Sequence, residues 1–105
     1  MIHHVVFYEL LPQTEPGEVE EILRTSRTLL LRIPEVLGVK SGRNLDSSSQ
    51  WEIFVSFEVD SREKLRVISE NPFYLKFTEH VVGPRRIAES AMSFEMDPAK
   101  DLKYS

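Results

Sequence analysis

The chain has 105 residues, 41% of them hydrophobic and 29% charged, with a net charge of −4 and no cysteine. That length admits one domain with a modest core. The acidic balance leaves no basic footprint for nucleic acid or an anionic membrane, and the absence of cysteine excludes disulfides, thiolate metal sites and cysteine nucleophiles.

The first stretch, MIHHVVFYELL over Met1 to Leu11, alternates like a strand. Ile2, His4, Val6, Tyr8 and Leu10 fall on one side, and His3, Val5, Phe7 and Glu9 on the other. The first face is apolar apart from His4 and Tyr8, two groups able to move protons or hydrogen bonds. The second face is too apolar to be left in water. No basic stretch or small-residue cleavage site marks a signal peptide, and no apolar run approaches the roughly 20 residues that cross a bilayer. The expected location is therefore cytoplasmic, which the lack of cysteine also fits.

Pro12 to Gly17 reads as a connection. Thr14 is the expected cap of the next helix, Pro16 suits its first turn, and Glu15 and Glu18 suit its positive end. From Glu18 to Ile33 the apolar residues Val19, Ile22, Leu23, Leu30 and Ile33 recur at helical spacing, and Ser26 completes the stripe. Arg24, Arg27 and Arg32 lie elsewhere on the wheel, as a solvated face. Pro34 ends the helix, because the residue before a proline is pushed out of the helical region.

Val36 to Asn44 is the second strand, weakened at Gly38 and Gly42. The polar run Asp46 to Gln50 makes a turn. The third strand is the clearest. Trp51, Ile53, Val55, Phe57 and Val59 alternate with Glu52, Phe54, Ser56 and Glu58. Asp60 and Glu63 predict a capping box for a second helix that turns Leu65 and Ile68 inward. Asn71-Pro72 interrupts it. Tyr74, Phe77 and Val81 then continue at helical spacing until Gly83-Pro84. A fourth strand runs from Arg85 to Met96. Ala88, Ser90, Met92, Phe94 and Met96 share one face, and Ile87, Glu89, Ala91, Ser93 and Glu95 the other, with Met92 and Met96 read as core filler. Residues 1 to 96 form the domain and 97 to 105 a polar tail.

The order βαββαβ, with right-handed crossovers and short connections, selects an α+β ferredoxin-like sandwich: four antiparallel strands with the helices on one face. The apolar face of the third strand must meet the helices. The opposite face is then expected to carry Val5, Phe7, Phe54, Ile87 and Ala91, and a homodimer packed sheet face on sheet face would cover it.

The residues also resemble a known family, the stress-responsive α/β-barrel (Dabb) proteins. His4-Val5-Val6-Phe7 resembles the family's opening strand with its histidine. Ile33-Pro34 and Gly42-Arg43-Asn44 are similar to the helix end and second strand. Val55 to Ile68, VSFEVDSREKLRVI, is similar to the third strand and second helix. Asn71-Pro72-Phe73-Tyr74 with Phe77 resembles the segment where many members carry His-Pro-x-His. The resemblance covers roughly residues 1 to 96 and implies a dimeric α+β barrel. It further implies a cavity between sheet and helices, which in a plant polyketide cyclase of the family performs an aldol cyclisation without cofactor. Of that enzyme's functional residues only the first-strand histidine matches, as His4. Tyr74, Ile53 and Ile68 stand where the cyclase has two histidines and a tyrosine.

His4 and Tyr74 are the candidate catalytic pair. A histidine titrates near neutrality, and a tyrosine can donate to a developing oxyanion. Val6, Tyr8, Ile22, Leu23 and Ser26 are expected to line the cavity with Val55, Ile68 and Phe77, around a small hydrophobic or aromatic ligand. Arg85, or its neighbour Arg86, is a candidate for a ligand carboxylate, or else pairs with surface glutamates. Ser26 either leaves room in the stripe or bonds back to the chain. His3 points away from His4, so the two do not chelate, and no metal or cofactor is expected. Three functions remain open: small-molecule binding with cofactor-independent acid-base chemistry, a non-catalytic assembly or stress protein, and a cofactor-free monooxygenase like those of related dimeric barrels.

Overall fold

A computed structural model describes residues 1–97, so all of the expected tail but Asp97 lies outside the described residues. The strands form one antiparallel sheet in the order β2-β3-β1-β4, with β1 spanning Ile2–Leu10, β2 Gly38–Arg43, β3 Ile53–Val59 and β4 Arg86–Glu95. This is the ferredoxin-like α+β arrangement expected from the order of elements. The alternation of β1 and β3 sets their register, which runs unbroken from Ile2 opposite Val59 to Tyr8 opposite Ile53. Ile2, Val6, Tyr8 and Leu10 are buried together with Ile53, Val55, Phe57 and Val59. The β2–β3 turn is closed by side chains. Asn44 Oδ1 accepts from the Asp46 backbone at 2.9 Å, and Asp46 Oδ1 accepts from that of Ser48 at 2.9 Å.

The helices begin one residue later than the cap signals suggest. Helix α1, Pro16–Leu30, is capped at Glu15, not Thr14. Pro16 at the first helical position forces the residue before it to be extended, and the Glu15 backbone N–H donates to Glu18 Oε1 at 3.1 Å. The Thr14 hydroxyl is buried without a partner. Its last turn tightens before Pro34, with Arg32 and Ile33 donating to the carbonyls of Leu29 and Leu30 at 3.1 Å, so the helix ends before Ile33, which is still buried. Helix α2, Arg62–Ile68, is capped by Ser61, whose hydroxyl accepts from the Lys64 backbone at 3.3 Å. Asp60 instead pairs with Lys64 Nζ at 2.8 Å.

Helix α3, Pro72–Lys76, starts on Asn71, whose side chain accepts from the Phe73 N–H at 2.8 Å. It runs into a wide π-type turn over Phe77–Val82 and a 3₁₀ turn over Gly83–Arg85. Gly83 is required there: a Cβ would lie 2.5 Å from the Thr78 carbonyl oxygen. Phe77 and Val82 hang from this segment into the core, against Val19, Ile22, Leu23 and Leu30 of α1. Among the described residues no helix is long and apolar enough to cross a membrane.

The fourth strand corrects the expected faces. Its register opposite β1 places Ser93 against His4, Ala91 against Val6 and Glu89 against Tyr8, then slips, so that Glu9 faces Ala88 and Leu10 faces Arg86. Ile87 is the extra residue of that bulge and is half-exposed. Ala91 therefore lies on the helix side, not on the open face. The open face carries Val5, Phe7 and Phe54 as expected, joined by Met92 and Phe94. Met92, Phe94 and Met96 are exposed, so the two methionines do not fill the core.

Candidate functional site

Cross-strand pairing on the helix side builds one row, Ser93–His4–Phe57, across β4, β1 and β3. His4 Nδ1 lies 2.7 Å from Ser93 Oγ, which fixes the ring and is its one hydrogen bond among the described residues. The His4 ring sits 5.1 Å from that of Phe57, tilted by 45°. Phe57 also meets Tyr74 edge-on, with ring centroids 6.1 Å apart and planes at 77°. Asn71-Pro72 starts α3 just where Tyr74 can reach back over the sheet. The three rings, with Leu65, Ile68 and Ser69, line a partly open cavity of about 150 Å³. His4 and Tyr74 thus share one cavity, and Phe57 packs against both rings.

Burial holds the His4 imidazole below its ordinary value of 6.5, partly offset by the Glu89 carboxylate, and His3 lowers it slightly further. Burial is also the main reason that both phenols titrate above the ordinary value of 10.0. For Tyr8 the neighbouring Tyr74 and Glu89 add to it, and for Tyr74 Glu89 does. At neutral pH the site therefore presents a neutral imidazole and two protonated phenols. Such a set can accept a proton at nitrogen and donate hydrogen bonds from oxygen. Among the described residues no three His, Asp or Glu side chains come together as a metal ion would need.

The model of the stress responsive A/B barrel domain (Dabb) matches residues 2–97. The chain belongs to this family. Among solved structures, a dimeric ferredoxin-like protein of unknown function from Thermobifida fusca is similar at TM-score 0.80 and 18% identity, over 90% of each chain. A Dabb family protein with a ferredoxin-like fold from Mesorhizobium loti gives TM-score 0.78 at 15% identity, over 92% of this chain and 97% of the other. A hydroxynitrile lyase from Passiflora edulis gives TM-score 0.78 at 16% identity, over 95% of this chain and 96% of the other. At such identities the likeness is one of fold. Comparison with curated proteins finds no match.

The interior of this Dabb chain is divided, not a single hollow. Val6, Leu23, Val55 and Phe77, expected to line a cavity, are packed in the core. Ser26 is fully buried and its hydroxyl donates back to the Leu23 carbonyl at 2.6 Å, so of its two readings the bond to the chain is the one observed. Ile22 and Arg85 line a different groove of about 430 Å³ with Thr25 and His80, between α1 and the π turn. Arg85 is paired with Glu18, and Arg86 with Glu89, so both arginines form the salt bridges of their second reading. Tyr8 is buried, and Tyr74 and Glu89 add to the upward shift of its phenol. Of the expected set only His4, Ile68 and Tyr74 line the small cavity. Sequence reasoning missed Leu65 and Ser69 as lining, Phe57 as a wall, Ser93 as the partner of His4, and Glu89 as the acid that partly offsets the effect of burial on it. Only Phe57 and Leu65 carried a signal, as inward positions of their elements.

Proposed function

We propose that the His4–Tyr74 cavity binds a small aromatic molecule of about one ring, and that any catalysis there is cofactor-independent proton transfer. The carrying observation is the cavity itself. At about 150 Å³, walled by Phe57, Leu65 and Ile68, it matches the size of apolar cavities that accept benzene. His4, neutral at physiological pH, acts as base on an acidic C–H or O–H of the ligand. Tyr74 stays protonated and donates to the oxygen on which negative charge develops. Glu89 stabilises the imidazolium that forms, in the same sense in which it raises the His4 pKa. The hydroxynitrile lyase likeness supports the reading that this fold can house small-molecule chemistry.

The unit is a homodimer in this reading. Val5, Phe7, Phe54, Met92 and Phe94 give the open sheet face an apolar patch among His3, Ser56, Glu58 and Ser90, and a two-fold copy of the same face is its economical cover. The dimeric Thermobifida fusca neighbour supports that assembly. The test is titration of wild type and His4→Ala with benzamide, a neutral single-ring probe, by calorimetry. Wild type is expected to bind, and His4→Ala to bind about tenfold more weakly. Equal affinity in the two proteins, or none in wild type, overturns the site.

A second reading has one observation in its favour. The packed core of Val6, Leu23, Val55 and Phe77 leaves little hollow space, as a non-catalytic assembly protein would have. Native mass spectrometry separates the two: an adduct on the dimer favours the first, a clean dimer the second. Dioxygen uptake with a phenol would mark the monooxygenase alternative.

A further inference from the structure

On the helix side of the sheet the row Ser93–His4–Phe57 is followed by the row Glu95–Ile2–Val59. Beside that second row lies a partly open groove of about 370 Å³. Ile2 and the run Ser93 to Glu95 of β4 form its floor, and Arg62 and Leu65, one turn apart on α2, form its other wall. Two features tie the groove to the His4–Tyr74 cavity. Leu65 lines both spaces. Ser93 in the groove is bonded at 2.7 Å to His4 in the cavity. The boundary is therefore one half-buried leucine from the helix layer facing one hydrogen-bonded pair on the sheet.

We infer that the groove is a second subsite of the same ligand site, and that Leu65 is the specificity-determining gate between the two. The ligand class is an aromatic ring carrying a short, unbranched, uncharged chain. The ring lies against Phe57 and Tyr74, and the chain passes His4 and Ser93 into the groove. The inference rests on the cavity reading above and adds the shape of the ligand. A cavity of about 150 Å³ holds one ring and little else, whereas small-molecule sites run from about 300 Å³ upward. The groove supplies the missing space. Ile2 and Leu65 offer the chain apolar walls. At the far end Arg62 and Glu95 stand 3.9 Å apart, largely exposed, and balance each other, so nothing there calls for a charged tail. A leucine side chain moves between staggered rotamers, which suits a partition that must let a thin chain by and stop a branched one. This placement also sets the atom that joins ring and chain beside His4, where the proposed base acts.

The test is calorimetric titration of benzamide, N-butylbenzamide and N-tert-butylbenzamide, three uncharged probes with the same ring. A fully buried methylene is worth about fourfold in affinity. In a partly open groove, and with the freedom of the chain lost, about tenfold is expected for the whole butyl chain in wild type. Glu95→Trp, at an exposed position, fills the groove and brings N-butylbenzamide back to the affinity of benzamide. Glu95→Ala breaks the same ion pair without filling the groove, and keeps the gain. Wild type binds the branched probe about tenfold more weakly than the linear one, and Leu65→Ala, which widens the passage, narrows that difference to about threefold. Equal affinity of wild type for benzamide and N-butylbenzamide, or a gain that survives Glu95→Trp, overturns the inference and leaves the cavity reading intact. Loss of the gain in Glu95→Ala, or the same difference between branched and linear probes in wild type and Leu65→Ala, also overturns it. Failure of benzamide to bind wild type at all overturns the cavity reading and this one with it.

Discussion

Replacing Phe57 by alanine tests whether its ring is held by both His4 and Tyr74. The ring is 2% exposed. Burying a phenylalanine contributes about 1.5–3 kcal/mol relative to leaving it in water. The contacts with His4 at 5.1 Å and Tyr74 at 6.1 Å add about 0.5–1.5 kcal/mol each. The ring also borders the cavity of about 150 Å³, so on that side it already lacks neighbours to lose. The expected cost is therefore about 3–4 kcal/mol, the lower part of the range for buried phenylalanine truncations. Urea unfolding followed by circular dichroism reads it directly. With a slope of about 1 kcal/mol per molar, the midpoint should fall by roughly 3 M, at fixed protein concentration because association shifts apparent stability. Phe57→Leu keeps most of the volume and loses only the aromatic contacts, for about 1–2 kcal/mol. A loss below about 1 kcal/mol in Phe57→Ala would refute the packing of this ring against His4 and Tyr74, and with it the place of Phe57 in the cavity lining.

Gly83→Ala places a methyl 2.5 Å from the Thr78 carbonyl oxygen. It should destabilise by about 1–3 kcal/mol as the π turn shifts to relieve the overlap, read from the thermal midpoint. His4 has a lower pKa folded than unfolded, so the unfolded chain takes up the proton first. Stability should be flat above about pH 7 in this respect, and fall as pH drops through the unfolded value of 6.5 towards the lower folded value. His4→Gln should lose that part of the pH dependence, compared in thermal melts between about pH 7.5 and 5.5; an identical slope in both proteins would contradict the burial of the ring. Phe7→Lys sets a charge in the middle of the open sheet face. It should give a folded monomer by sedimentation, whereas a persistent dimer would move the interface elsewhere.

Much of this protein is written in local patterns. Alternation over Ile2–Leu10 and Ile53–Val59 defines the two central strands, because period two is a backbone property that needs no partner. The apolar spacing of Val19, Ile22 and Leu23 defines the first helix by the same reasoning, and Pro34 and Gly83-Pro84 stop helices wherever the chain goes. From these the order βαββαβ follows, and with it the ferredoxin-like sheet. Two signals read from side chains misplaced the caps by one residue. Pro16 decided the first by fixing the backbone of Glu15, and Ser61, nearer the helix, displaced Asp60 at the second.

Only tertiary structure decided the rest. The bulge at Ile87 comes from the hydrogen-bond register between β4 and β1. The same pairing puts Ala91 on the helix side and Met92 on the open face, which a single strand cannot reveal. Ser93 reaches His4, and Glu89 faces Tyr8, because two strands 89 and 81 residues apart in the chain lie side by side. The size of the cavity is set by how side chains from several elements interdigitate, which is why Phe77, Val55 and Leu23 filled space expected to be open while Leu65 and Ser69 came to line what remained. Periodicity tells which way a side chain points. Whether it meets a neighbour there or a void depends on packing among residues far apart in sequence.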